Sequence, residues 1–315
     1  MQFKRLSFHS RKPASPTQTA LARLAAILLP FMQLLTGNPS FAADASGCTN
    51  FTLDFTTSCD AAWQAKLTAL DTRLRERHGL ATTQSAVGVL DLRGRRLAML
   101  RPDAMDYGAS VPKLGILLAY FQLRPGAARE LDPPTRHELG LMIKQSSNEL
   151  AAKFSQMLGL REVQGVLTRQ GLYDPNHGGG LWVGKHYGVT GERFGDPLQD
   201  LSHAVTVRQL LRFYLWLEQG KLVSPAASRT MREIFASPDI PHREDKFVKG
   251  LAGRDVQILR KAGWWEDWHH DSAVVSGPGR HYVLVALTHH PQGEAYLVAL
   301  AAAVDDWLAP GSPRE

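Results

Sequence analysis

Strand-like runs occur near the two ends of this sequence and helix-like runs fill the long stretch between them, so one sheet must be assembled from segments far apart in the chain. The first such run is "SAVGVLDLRGRRLAMLRPD", from Ser85 to Asp103, two apolar stretches about a turn at Arg93 to Arg95 that predict a β-hairpin. The others are "DSAVV" from Asp271 and "HYVLVALTH" from His281, joined by the turn residues of "SGPGR". Before the hairpin, Asp60 caps a helix carrying Trp63, Leu67, Leu70 and Leu74, which ends near Gly79. In the middle, apolar periodicity predicts helices over 111–123, 135–145, 148–158, 161–171, 206–219 and 225–236, with a last helix near Tyr296 to Leu308. Residues 172–203, dense in Gly, Pro, Asp and His, form a long loop of the kind that carries function. The expected class is α+β, an antiparallel sheet flanked by helices with an inserted all-α subdomain.

The amino end has a separate logic. Residues 1–42 carry five basic residues and no acidic ones, which leaves 31 basic against 30 acidic in the remainder. The body is near neutral, so its charge implies no nucleic-acid partner. The apolar run from Leu21 to Leu35 precedes "TGNPSFAAD", where Ser40 and Ala42 are small residues placed for signal-peptidase cleavage, so residues 1–42 read as a secretory signal. A retained anchor is the alternative, but Arg23 and Pro30 interrupt the run, which is shorter than the roughly 20 apolar residues a span needs. Lipid attachment at Cys48 is a third reading, weakened by Ala45. Export to the periplasm or beyond is the expectation, with no stable membrane span after cleavage. It would leave Cys48 and Cys59 in a disulfide-permissive compartment, where a local disulfide within residues 43–60 is expected. Residues 61–315 then form the catalytic domain, expected to be monomeric.

Within "DYGASVPKLGILLAYF", Pro112 is tolerated only in a first turn, so an apolar helix begins close to Ser110 and puts Lys113 on the same side. A serine alone is a poor nucleophile, and an amine whose pKa is lowered by burial can take its proton. Chance supplies roughly one Ser-x-x-Lys in a chain of this size. Two further stretches change the weight of the pair. "KQSSNELA" puts Ser146 and Asn148 two apart in a break between helices, and "LRKAGWW" puts Lys261 and Gly263 just before the carboxyl-terminal strands.

Taken together, these three elements resemble those of the serine β-lactamases and penicillin-binding proteins, Ser-x-x-Lys, Ser-x-Asn and Lys-Thr/Ser-Gly, and most nearly the class A β-lactamase branch. The resemblance runs from about Trp63 to the last helix. It implies Ser110 as acylated nucleophile and Lys113 as its proton acceptor. Ser146 would then pass a proton to the leaving nitrogen. Asn148 would hold the substrate's side-chain amide, and Lys261 would supply positive charge near a substrate carboxylate. The N–H groups of Ser110 and Trp264 would form the oxyanion hole. No metal or organic cofactor is implied. The expected partner is a small β-lactam or a cell-wall peptide-like substrate, with a peptidase or esterase, or a penicillin-binding protein that stays acylated, as the other readings.

Two departures stand out. Ala262 occupies the hydroxyl position of the third element, followed by the bulky Trp264 and Trp265, and no Glu-x-x-Leu-Asn motif occurs. Glu192 in "TGERFGD" lies at a suitable distance before the Thr206 helix to activate water, or else is a solvated loop charge; Asp196 is a further loop carboxylate. "HGGGLWVGK" is glycine-rich, but His186 follows Lys185 where a phosphate loop needs Ser or Thr. His269 and His270 are strand neighbours that point to opposite faces, so they cannot converge on one metal, and His269 or Asp271 is expected to line the cleft or satisfy a buried partner.

Overall fold

The computed structural model describes residues 50–309. The amino-terminal signal reading therefore lies outside the described residues, as does Cys48. Cys59 is half-buried and forms no disulfide with any described residue.

Helix α1 (Ala61–His78) begins where the Asp60 carboxylate accepts from Trp63 N–H and ends on left-handed Gly79, as its cap residues dictate. Strands β1 (Ser85–Asp91) and β2 (Arg96–Leu100) form the expected hairpin. β3 (Asp106–Tyr107) leads into the turn before α2 (Lys113–Leu123). The helical insert continues through α3 (Ala127–Glu130), α4 (Pro133–Lys144), α5 (Asn148–Leu158) and α6 (Leu160–Arg169). Short strands β4 (Tyr173–Asp174), β5 (Gly179–Gly180), β6 (Trp182–Val183) and β7 (His203–Val205) punctuate the long loop. Then come α7 (Val207–Glu218), α8 (Pro225–Ala236), α9 (Lys246–Gly250), strands β8 (Gln257–Trp265), β9 (Trp268–Gly277) and β10 (Arg280–His289), and α10 (Gly293–Leu308).

The main sheet is antiparallel with order β2-β1-β10-β9-β8, so strands from both ends of the chain pair at β1 and β10. Each face carries its own apolar core. Ala86, Leu90, Leu259, Val274, Val283 and Val285 face the helical insert, while Val87, Val89, Ala273, Val275 and Leu284 face α1 and α10. Alternation along each strand does this: neighbouring residues go to opposite faces and cross-strand partners share one. A second, three-stranded sheet, β3-β7-β6, ties the loop to the turn before α2.

The outer edge of β2 is closed by a side chain. The Gln64 amide on α1 donates to Met99 O at 2.9 Å and accepts from Met99 N–H at 3.0 Å, while Asp60 N–H donates to Leu97 O at 2.8 Å. These replace the contacts a further strand would make.

Candidate active site

Ser110 does not open the helix. It sits one short turn earlier, because the chain from Gly108 closes successive i to i+3 bonds: Val111 N–H to Gly108 O, Lys113 N–H to Ser110 O, Leu114 N–H to Val111 O and Gly115 N–H to Pro112 O. Pro112, which has no N–H to give, stands at the cap, and α-type bonding starts at Lys113. Ala109, immediately before the serine, is left-handed with φ 47°, a conformation costly for a residue with a side chain.

The amine of Lys113 is fully buried and has four oxygen neighbours. They are Ser110 Oγ at 3.0 Å, Ser146 O at 2.6 Å, Ser146 Oγ at 3.2 Å and Asn148 Oδ1 at 2.7 Å. Two of these, the Ser146 carbonyl and the Asn148 amide oxygen, can only accept. A neutral amine has two N–H donors and one lone pair, so with both donors spent on those acceptors the lone pair is left for a serine O–H. Burial lowers the pKa of Lys113 to about 7, which makes that neutral form abundant. Ser146, left-handed at φ 62° in the break before α5, lies between two lysines, with Lys261 Nζ 2.9 Å from its Oγ. Lys261 is buried too and donates to Ala262 O at 2.6 Å; burial, and then the nearby Lys113 charge, push its pKa well down. Ser110, Lys113, Ser146 and Lys261 thus form one connected chain of groups able to move a proton.

Strand β8 brings the other wall. Lys261, Gly263 and Trp265 share the face toward the helical insert, and Gly263 presses on the Ser110 turn: a Cβ there would lie 2.9 Å from Gly108 O and 3.2 Å from Ser110 N. This approach sets the backbone of Gly263 beside the Ser110 N–H, on the side where an oxyanion hole would form. Gly263→Ala is expected to push the turn away, costing about 1–3 kcal/mol of stability and most of the acylation rate, as read by chemical denaturation and by adduct formation. Trp264 and Trp265 are 60% and 53% exposed on opposite faces of the strand, unusual positions for so large an apolar ring.

The loop carboxylates are placed elsewhere. Glu192 is exposed near the tip of the loop bridged by Lys185 and Arg193, and no hydrogen bond or ion pair joins it to Ser110, Lys113 or Ser146 among the described residues. Asp196 is buried and wholly occupied: it accepts from Tyr173 O–H at 3.0 Å and from the N–H groups of Leu198, Gln199 and Leu201. It organises the loop and faces no nucleophile. What the loop does put against Lys113 is Tyr187, whose ring centroid is 4.5 Å from Nζ and whose O–H donates to Ala109 O at 3.0 Å. Sequence reasoning missed this residue; its one signal is an aromatic set in the glycine-rich "GKHYG".

The remaining suggestive residues are structural. His270 Nε2 donates to Tyr107 O at 2.7 Å and Nδ1 accepts from Thr288 N–H at 3.2 Å, and burial lowers its pKa to about 4. Asp271, on the other face, grips Arg260 with two contacts of 2.8 Å. No cluster of three or more His, Cys, Asp or Glu able to hold a metal occurs among the described residues. The loop glycines form turns: Gly178, Gly179 and Gly180 all have positive φ and shape the β4-β5 hairpin.

The family described as "Beta-lactamase enzyme family" matches residues 125–307. The chain belongs to the beta-lactamase enzyme family. The matched span contains Ser146, Asn148 and Lys261 and starts after Ser110 and Lys113. Among solved beta-lactamase folds, the chain is similar to a beta-lactamase from Sphaerobacter thermophilus at 13% identity and TM-score 0.63, covering 78% of this chain and 98% of that one. It is also similar to a class A beta-lactamase from Mycobacterium abscessus at 16% identity and TM-score 0.61, covering 76% and 98%. PBP-A matches at 18% identity and TM-score 0.57, covering 76% and 95%. At these identities the likeness is one of fold. No curated protein matches the sequence.

Proposed function

We propose that this beta-lactamase family member is an exported serine hydrolase that forms an acyl-enzyme on Ser110 and hydrolyses the amide of β-lactams. The observation that carries the reading is the Lys113 amine, buried and hydrogen-bonded so that its lone pair is directed to a serine hydroxyl. In the first step Lys113 takes the Ser110 proton as Oγ attacks the carbonyl carbon, and the developing oxyanion is held by the N–H groups of Ser110 and Trp264. As the C–N bond breaks, Ser146, bonded to both lysines, gives its proton to the leaving nitrogen and is resupplied from Lys113. Water then releases the acyl group. The Asn148 side-chain amide, whose oxygen is committed to Lys113, keeps its NH₂ group for the substrate. Export rests on the composition of residues 1–42 alone.

A second reading, a penicillin-binding protein that is acylated and stays so, is favoured by one observation: the loop sets an aromatic ring rather than a carboxylate against Lys113. Intact-mass spectrometry over time with a penicillin and with a cephalosporin, beside Ser110→Ala, separates the two. A transient adduct with accumulating product is the expected result. A persistent adduct would transfer the assignment to the second reading. Absence of any adduct would sink both and leave a Ser-Lys hydrolase of another acyl donor, such as a cell-wall peptide or ester, consistent with Ala262 in place of a hydroxyl residue.

A further inference from the structure

The left-handed turn at Ala109 needs something to hold it. A non-glycine residue at φ 47° carries a strain of about 1–3 kcal/mol, and it persists only where the surroundings over-determine it. The backbone carbonyl of Ala109 accepts a hydrogen bond from a side chain of the loop, the 3.0 Å bond from Tyr187 O–H. Tyr187 is itself fixed. Its ring is buried and lies 4.1 Å from that of His203, which donates from Nε2 to Lys185 O at 3.0 Å. His203 belongs to β7, the strand paired with β3 just before the nucleophile turn, so loop and turn are anchored to one another twice. The same ring covers the side of Lys113 that faces the loop.

We propose that Tyr187 is a positioning residue with two separable actions: its hydroxyl locks the Ala109 carbonyl and so aims Ser110, and its ring keeps water from the amine of Lys113. The inference rests on the Ser110–Lys113 reading of the site. The other ionisable groups around the amine are Lys261 on β8 and His203 on β7, with Lys185, earlier in the loop, acting on His203. Burial holds His203 neutral, with a pKa of about 3, and burial alone, with no carboxylate, accounts for the lowered pKa of Lys113.

Two variants separate the actions, and two readouts are taken without any acyl donor. Tyr187→Phe removes the hydroxyl and keeps the ring. Exchange of the Val111 amide hydrogen, whose bond to Gly108 O closes the turn, is expected to speed by about tenfold, while amides inside α2 keep their protection. Tyr187→Ala removes the cover, and the NMR titration midpoint of the Lys113 side chain is expected to rise by at least about one unit toward the ordinary lysine range. In acylation assays Tyr187→Phe is expected to be about tenfold slower with an unchanged pH midpoint. Unchanged Val111 exchange in Tyr187→Phe would overturn the lock, and an unchanged Lys113 midpoint in Tyr187→Ala would overturn the cover. A wild-type chain that takes no acyl group from any donor would instead sink the functional reading, and the exchange and titration results would still decide this one.

Discussion

Lys113→Met is expected to lower acylation of Ser110 by about a thousandfold, the middle of the range a positioned general base contributes. The variant keeps a flexible apolar stem of similar length and removes the amine bonded to Ser110 Oγ. Lys261 does not replace it, because its contacts are to Ser146 and Ala262. The wild type should show the base directly in its pH dependence. At the ordinary lysine pKa of 10.5, roughly one amine in three thousand would be neutral at pH 7, whereas at about 7 half of them are. Because the neutral form is the active one, acylation rises with pH below about 7 and levels off above it. Burial also lowers this pKa relative to the unfolded chain. The unfolded state therefore binds more protons between about 7 and 10.5, and stability increases with pH across that window. Stopped-flow acylation by a chromogenic cephalosporin from pH 5 to pH 9, roughly, measures the limb. A Lys113→Met rate within tenfold of wild type would place the base elsewhere.

Asp271→Ala is expected to cost about 3–5 kcal/mol of unfolding free energy, because it strands a charged guanidinium in the interior. Arg260 and Asp271 are both essentially inaccessible, and the same carboxylate also accepts from Phe247 N–H and Ser272 N–H at 3.0 Å each. Burial works against the Arg260 charge, and Asp271 with Asp245 outweighs it, so the arginine stays ionised and needs its partner. Arg260 is the strand neighbour of Lys261, so a loss of grip on β9 also lets the second lysine drift from Ser146. Urea denaturation measures the first effect and the acylation rate the second. The paired change Arg260→Met with Asp271→Leu is expected to recover part of the stability, since a well-packed apolar pair avoids the desolvation of two charges while Phe247 N–H and Asp245 lose their partners. Equal stability of Asp271→Ala and wild type would show that Asp245 alone satisfies the arginine.

What was legible in the sequence follows the range over which each residue's position is decided. Ser110 and Lys113 are three apart, and local geometry alone brings them together, even though the helix starts at Lys113 rather than at the serine. Ser146, Asn148 and Lys261 were legible through the resemblance of their short motifs to those of the serine β-lactamases; periodicity marked the break before α5, while the strand β8 that carries Lys261 was not among the predicted runs. The loop was different. Whether Glu192, Asp196 or Tyr187 meets the nucleophile depends on strands of two or three residues, β3, β6 and β7, which are too short to show any period. The left-handed backbones of Ala109 and Ser146 were equally silent, since neither residue type announces a positive φ.

The two outer edges of the main sheet are not alike. On β2 the Gln64 amide occupies the backbone groups of Met99, whereas on β8 the segment around His242 covers Ile258 and leaves Gly263 to Trp265 without a hydrogen bond from outside the sheet among the described residues. Growth of a fibre by strand addition requires every molecule to offer two free edges, one to receive and one to give. This sheet offers a single short one beside Ser110, so self-association through it closes on itself at two copies and cannot propagate. The edge beside Ser110, where the proposed substrate would enter, is in this way kept from becoming a template for aggregation.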